Sequence, residues 1–360
     1  VTHLNAAAVR DQLGLDGTYA PWTDALQTAH PAPPPAVVPR GAELAALLRA
    51  VGVPECEDAE LTAALAEVTA AGSPYAWLLD RAVAALAAGI GSAGDDRSGP
   101  GSGPGLPAAL GAAGRWFHTA AFLAAVPAVR AYHARHDVPD DVSWATLADL
   151  GNKVGVHRRM HGVGGMDKQW WITLPYGGIL YRLGRLQFNL DRDPVAGRGL
   201  EVHIPEDGPL DPRACDESFA RAAEFFPRRF GSFLNCTAGG TPDGSADGTA
   251  GGELRLNCSS WLLDPHLAEF LPAESNIIRF QRRFTLDPGE RARVPEPDEH
   301  GLAVPDRGIV EFVFRRVVRT PADVAALPAR TTLERAVVSH IAAGGHWGAP
   351  RGSFRLPVPG

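Results

Sequence analysis

At Gly162-Val163-Gly164-Gly165 the hydrophobic periodicity of this chain changes, and the two sides of that turn require different architectures. Ahead of it, apolar residues recur at helical spacing: Leu44, Leu47, Leu48 and Val51, then Leu61, Ala64, Leu65 and Val68, then Trp77, Leu78, Val83 and Leu86. Gly72-Ser73-Pro74 splits the last two runs into separate helices. A broad apolar face over 114–135 includes Trp116, Phe117, Phe122, Leu123, Val126 and Val129, with Pro127 expected to kink or divide it. Ser143, in a Ser-x-x-Thr pattern after a Pro-Asp-Asp turn, is expected to start a further helix reaching about His161.

After the turn, β-rich segments follow at 169–174, 178–190, 199–205, 253–263, 276–286 and 309–315, with a last strand at 352–357. Helices interrupt them. Asp211-Pro212 places a capping side chain before a first-turn proline, opening a helix with the stripe Cys215, Phe219, Ala222 and Phe226. Shorter helices are expected at 265–270 and 332–343. A length of 360 residues suits two domains, because single cores rarely grow past roughly 250 residues. The expected fold is therefore α/β in the α+β sense: a helical domain at 1–165 and a mixed β-sheet domain at 166–360. The 40 glycines and 31 prolines are concentrated in part in two insertions, a flexible one at 91–106 and a Gly-rich one at 238–252.

The formal charge of -7 argues against nucleic acid as a partner, since phosphate binding needs a basic field. No apolar run is long enough for a membrane span, and the first residues lack the order of a signal peptide, so a cytoplasmic location is expected. Cys56, Cys215, Cys236 and Cys258 stand far apart, as free thiols do. The pairs His157/His161 and His133/His136 lack the carboxylate of a metal-binding helix and read as helix-face histidines, so no metal is expected.

Several blocks in order carry a resemblance to a known family. They are Asp167-Lys168-Gln169-Trp170-Trp171, Tyr181-Arg182-Leu183-Gly184-Arg185-Leu186-Gln187-Phe188, Val202-His203-Ile204-Pro205, Ser260-Trp261-Leu262-Leu263-Asp264-Pro265 and the segment from Ser275 to Phe284. From about residue 40 onward the chain resembles actinobacterial acyltransferases with a helical N-terminal domain and a GNAT-like C-terminal domain, the broad group that includes the teicoplanin N-acyltransferase. The resemblance implies coenzyme A as acyl carrier and an amine acceptor, whether aminosugar, peptide or small amine, acylated by direct attack in a ternary complex. It also implies a sheet in which two parallel strands splay to admit the pantetheine arm, with donor contacts at Ile204, Gly208, Arg213, Trp170 and Trp171.

One stretch departs from the GNAT pattern. Where a glycine-rich loop would offer backbone N–H groups to pyrophosphate, this chain has Pro205-Glu206-Asp207-Gly208-Pro209-Leu210-Asp211-Pro212. Its carboxylates repel phosphate, which leaves three readings of the donor: weak pyrophosphate binding through Gly208 and Arg213, holding through pantetheine and acyl chain, or a carrier-protein donor. The same acidity motivates an alternative function, a non-catalytic acyl-ligand or partner-binding protein. A thioester hydrolase is disfavoured by the absence of a G-x-S-x-G elbow.

N-acylation needs a neutral amine, a base for its proton and a route for the leaving thiolate. Alternation over 199–205 puts Leu200, Val202 and Ile204 on one face and Glu201 with His203 on the other. Spacing alone leaves His203 open between a satisfied strand histidine and a general base. The resemblance selects the base, with Glu201 as its orienting carboxylate. On the following strand Leu254, Leu256, Cys258 and Ser260 share a face, opposite Arg255, Asn257, Ser259 and Trp261, and Ser260 or Cys258 is the candidate to protonate the thiolate or hold a water, with Ser260 preferred. Read as a strand, 169–174 sends one of Trp170 and Trp171 inward and the other toward an acyl channel.

Overall fold

Side-chain caps set where the first unit's helices begin. Ser73 Oγ accepts from Ala76 N–H at 3.0 Å, so the apolar run divides into the helices Asp58–Val68 and Pro74–Gly89. The computed structural model describes residues 4–92, 103–193, 197–234, 252–290 and 295–359. The chain forms two compact units, divided between Tyr181 and Arg182.

In the first unit both of these helices pack against Gly111–Arg135, whose Trp116, Phe117, Phe122, Leu123 and Val129 are buried. Each such side chain contributes roughly 1.5–3 kcal/mol of apolar burial. That helix runs undivided through Pro127, contrary to the expected break. Ser143 does not start a helix either. The chain turns helical at Asp140, after Pro139, and a second helix spans Asp149–His161. Ser143 is buried inside the first of these, its hydroxyl 2.7 Å from His133 Nδ1. Gly151 lies in the second where a Cβ would come within 2.0 Å of the Gly52 backbone, so only glycine permits this approach.

The turn at 162–165 is held by side chains of the preceding helices. Arg115 Nε donates to Gly164 O at 2.7 Å, and His157 Nδ1 lies 3.1 Å from Val163 O. A Cβ on Gly164 would meet Glu57, Glu60 and Trp116 within 2.6 Å. The chain then enters a helix, Gln169–Tyr176, where alternation predicts a strand. Ile172 and Tyr176, one helical turn apart, are both part of the first unit's core, and that packing overrides the β-rich composition.

Residues 93–102 of the first insertion lie outside the described residues. Its end is fixed: the carbonyls of Gly103, Pro104 and Gly105 face Gln169 Nε2 at 3.3 Å, His118 Nε2 at 3.0 Å and Tyr19 O–H at 2.7 Å. The second insertion, 238–252, lies outside them except for Gly252.

Among the described residues, a six-stranded sheet organises the second unit. Its strands are β1 (Leu180–Leu183, where the chain passes from one unit to the other), β2 (Leu186–Asp193), β3 (Gly197–His203), β4 (Glu253–Ser259), β5 (Thr285–Leu286) and β6 (Arg351–Pro357). The order is β1-β2-β3-β4-β6-β5. β3 and β4 are parallel, whereas β2–β3, β4–β6 and β5–β6 are antiparallel. The helix Pro212–Leu234 lies in the crossover that a parallel pair needs. Asp211 Oδ1 caps it by accepting from Ala214 N–H at 2.9 Å. Its buried Phe219 and Phe226 pack edge-on against Phe188 of β2, and Phe219 also against Phe354 of β6. One face of the sheet is thereby closed by an apolar layer.

Two further expected strands are helices. Over 276–286 only Thr285–Leu286 is extended, because Ser275 Oγ caps Asn276–Gln281 at Ile278 N–H. The Arg279/Gln281/Arg283 alternation is thus no strand face: Arg279 pairs with Glu274 at 2.8 Å and Arg283 with Asp216 at 2.6 Å. Over 309–315 the helix Val304–Phe314 forms, started by Pro305 in its first turn and by Asp306, which accepts Ala303 N–H at 2.9 Å.

Candidate active site

The face of the sheet opposite this apolar layer carries the polar side chains. Strand registers place Asn189, Glu201, Asn257, Ser353 and Thr285 in one row across β2, β3, β4, β6 and β5. Gln187 and His203 are partners in the next row toward the C-terminal end of β3. This face is not a solvated one: Gln187 and Asn257 are each only 1% exposed.

β3 and β4 approach closely at Gly199, where a Cβ would sit 2.9 Å from Arg255 O. Their ladder holds at Leu200–Leu256 and Glu201–Asn257, and β3 then runs on to His203 and β4 to Ser259. His203 and Glu201 therefore stand where the parallel pair parts. The two are adjacent, with His203 Nε2 3.8 Å from Glu201 Oε2. Asn189 Oδ1 forms a short hydrogen bond with the same imidazole nitrogen. Among the described residues, two buried polar atoms on this face have no partner, the donor Gln187 Nε2 and the acceptor Asn257 Oδ1. Buried amide groups without partners are costly, by about 1–3 kcal/mol each, and suit a surface that meets a ligand carrying both a carbonyl and an N–H.

Ser260 caps the turn that follows β4, its Oγ accepting from Leu262 N–H at 3.2 Å, which leaves the hydroxyl proton for donation. Cys258 is buried, and that burial, with the charge of Glu201 second, pushes its thiol far above the ordinary range, so it is no nucleophile. Of the four cysteines, Cys236 lies outside the described residues; Cys56, Cys215 and Cys258 are free.

Each carboxylate of the acidic loop has a structural partner. Glu206 pairs with Arg315 at 2.7 Å, Asp211 caps its helix, and Asp207 pairs with Arg182 at 2.5 Å. Burial opposes ionisation of Asp207, but Arg182 and Arg185 outweigh it and hold the carboxyl below its usual range. Arg185 also holds the loop by its backbone, donating to the carbonyls of Pro205 at 2.9 Å, Gly208 at 2.5 Å and Pro209 at 2.7 Å. Ile204 leaves β3 half-buried and Gly208 is exposed. Arg213, 88% exposed, pairs with Glu217 at 3.0 Å. With Pro212 lacking an N–H and Asp211 occupying that of Ala214, this helix end offers phosphate little.

Trp170 and Trp171 belong to the first unit and sit on a helix, so their directions do not alternate as on a strand. Trp171 is held, its indole N–H donating to Asp149 Oδ2 at 2.6 Å, while Trp170 is 45% exposed. Sequence reasoning missed Gln187, Asn189, Arg182 and Arg185. Alternation around the buried Phe188 and Leu190 carried a signal for the first two; their partnership with His203 and Glu201 needed the strand register. Among the described residues no group of three or more His, Cys, Asp or Glu is placed to hold a metal.

A parallel strand pair that parts beside a histidine, with one sheet face closed by a long crossover helix, defines a GNAT-like acyltransferase unit. The comparisons give the same class. Residues 42–178 match the N-acyltransferase N-terminal domain and residues 180–354 the GNAT-like C-terminal domain. A solved acyltransferase in complex with decanoyl-CoA and teicoplanin is 41% identical with a TM-score of 0.82, over 98% of this chain and 100% of that one. Another, in complex with CoA and 10C-teicoplanin, is 40% identical with a TM-score of 0.82, over 99% and 100%. A third, in complex with decanoyl-CoA, is 37% identical with a TM-score of 0.78 over the same shares. No curated protein matched. This chain belongs to the family of two-domain N-acyltransferases with a helical N-terminal and a GNAT-like C-terminal domain. It is an acyltransferase, and among the described residues no helix is long and apolar enough to cross a membrane.

Proposed function

We propose that this protein transfers a medium-length acyl group from acyl-CoA to an amine on a glycopeptide acceptor, by direct attack within a ternary complex. The observation that carries the reading is the polar sheet face at the parting of β3 and β4, where His203, Glu201 and the unpartnered Gln187 Nε2 and Asn257 Oδ1 converge. Near-full-length likeness to acyltransferases solved with decanoyl-CoA and teicoplanin supports both donor and acceptor class.

His203 removes the proton as the amine nitrogen bonds to the thioester carbonyl carbon; the C–S bond then breaks and the thiolate takes a proton, for which Ser260 is the candidate source. Gln187 and Asn257 offer a donor and an acceptor to the amide groups of pantetheine. Ile204 follows directly on β3 and is the candidate to border the same arm; of the two tryptophans, Trp170 is the exposed one and Trp171 is held by Asp149. Gly208 and Arg213 contribute little to phosphate binding, since the loop is held by Arg185 and the helix end is capped by Asp211. With those carboxylates engaged, the acidic loop no longer favours a non-catalytic protein.

A thiol-release assay with decanoyl-CoA tests this against a teicoplanin-type glycopeptide bearing a free aminosugar, an aminoglycoside and a simple alkylamine. The expected result is release that requires the glycopeptide, with a product heavier by one acyl group. Equal release without any acceptor would mean hydrolysis and contradict the reading.

A further inference from the structure

The second unit holds a cavity of about 520 Å³ past the C-terminal end of β4, where Pro350, part of its wall, accepts the backbone N–H of Ser260 at 3.3 Å. Among the described residues, none that lines it belongs to the polar rows of His203 and Glu201. Two buried carboxylates build this region in the same way. Asp264 Oδ1 accepts the backbone N–H of His266 at 2.9 Å and lies 2.8 Å from that residue's Nδ1, while Oδ2 accepts Gly348 N–H at 2.6 Å. Asp306 Oδ1 accepts Trp347 N–H at 2.8 Å, and its Oδ2 accepts Ala303 N–H at 2.9 Å and lies 2.8 Å from His346 Nδ1. The segment His346-Trp347-Gly348 is thus tied to both carboxylates by neighbouring backbone N–H groups. His340 backs it, its ring centroid 4.4 Å from that of the buried Trp347.

A carboxylate accepts and does not donate, so in both histidines the proton of the neutral ring is on Nδ1 and the lone pair on Nε2. Among the described residues, Nε2 of His266 and of His346 has no hydrogen-bond partner, and both residues line the cavity. The wall also carries the carboxylates of Asp264, Glu290 and Glu296, with no arginine or lysine among its described residues. Such a wall repels an anion, which sets it apart from a phosphate site. A hydroxyl suits the imidazoles in either charge state, since it donates to the neutral ring and accepts from the charged one. The volume is that of a small-molecule site, for which roughly 300–1,000 Å³ is usual. We propose that this cavity is a sugar subsite, in which Nε2 of His266 and of His346 hydrogen-bond hydroxyl groups of the glycosylated acceptor, away from the amine that reacts. As part of acceptor binding it rests on the transfer to a glycopeptide proposed above.

Nitrogen NMR of the full chain labelled at histidine, titrated with methyl glucoside and separately with inorganic phosphate, tests the cavity. The two signals are assigned from their loss in His266→Asn and His346→Asn, variants that keep a side-chain N–H donor for each carboxylate and remove the second nitrogen. The expected result is that both Nε2 signals move with the sugar and neither with phosphate. Steady-state kinetics with decanoyl-CoA and the glycopeptide should then show the KM for the acceptor raised about three- to tenfold in each variant, the usual worth of one hydrogen bond. The kcat and the KM for decanoyl-CoA should stay as in the wild type, a split that a merely structural role would not give. Signals that stay still with the sugar, or that move with phosphate instead, overturn the subsite, as does an unchanged acceptor KM in the folded variants. A wild-type protein that releases no thiol with the glycopeptide would contradict the transfer itself, an outcome on which the sugar titration does not depend.

Discussion

Replacing His203 with alanine is expected to lower kcat by about 10²- to 10⁴-fold, the usual contribution of a positioned general base. The affinity for acyl-CoA and the fold should change little, for reasons that lie in the strand. His203 is the last residue of β3, half-buried, and its side chain faces the polar row, so the apolar layer formed by Leu200, Val202 and the helix Pro212–Leu234 does not depend on it. Alanine removes the proton acceptor and leaves Asn189 Oδ1 and Glu201 to rearrange. Steady-state kinetics with thermal unfolding of the same preparation separates the two effects. A variant with wild-type turnover, or one whose melting temperature falls as steeply as its rate, would contradict the assignment.

The second large effect is acid lability of the helical unit. His118 and His133 are both buried, and burial lowers each to about 4, assisted at His133 by the nearby charges of Arg130 and His136. His118 nevertheless has a polar partner, since its Nε2 lies 3.0 Å from Pro104 O. An unfolded imidazole titrates near ~6.5, so below that pH the unfolded chain binds more protons than the folded one. Stability therefore falls as the pH drops from about 6.5 toward about 4, and this contribution levels off below that. At about 1.4 kcal/mol per pH unit, each histidine removes on the order of 2 kcal/mol between pH 7 and pH 5. Urea unfolding at those two pH values should show the loss. His118→Gln keeps a donor for Pro104 O but cannot titrate, and should reduce the difference by roughly half. An undiminished difference in that variant would assign the acid sensitivity to other groups.

How much of this molecule was legible in the sequence depended on whether the deciding contact was local. The break at Gly72-Ser73-Pro74 and the cap Asp211 are each legible within one turn, and the helices they open form as the stripes predict; that Ser73 itself is the cap came from the structure. The segments 169–174 and 309–315 were misread because aromatic and β-branched residues resemble strand, whereas Ile172 and Tyr176 share a core and Pro305 with Asp306 starts a helix. His203 and Glu201 were visible as alternate residues of one strand. Their partners Asn189, Gln187 and Asn257 were not, because a cross-strand row appears only once registers are fixed. The acidic loop gave a misleading signal for the same reason: the arginines that engage it, Arg182, Arg185 and Arg315, are distant in sequence from the carboxylates they meet.

The central claim is direct, His203-assisted transfer with no acylated protein on the route. Rapid-quench mass spectrometry of the intact protein, mixed with decanoyl-CoA and a glycopeptide amine, tests it most directly. The result expected is acyl appearing on the acceptor as CoA is released, with the protein mass unchanged at every time and with acceptor acylation slowed in His203→Ala. A protein species heavier by one acyl group that forms and decays at the rate of turnover would contradict it.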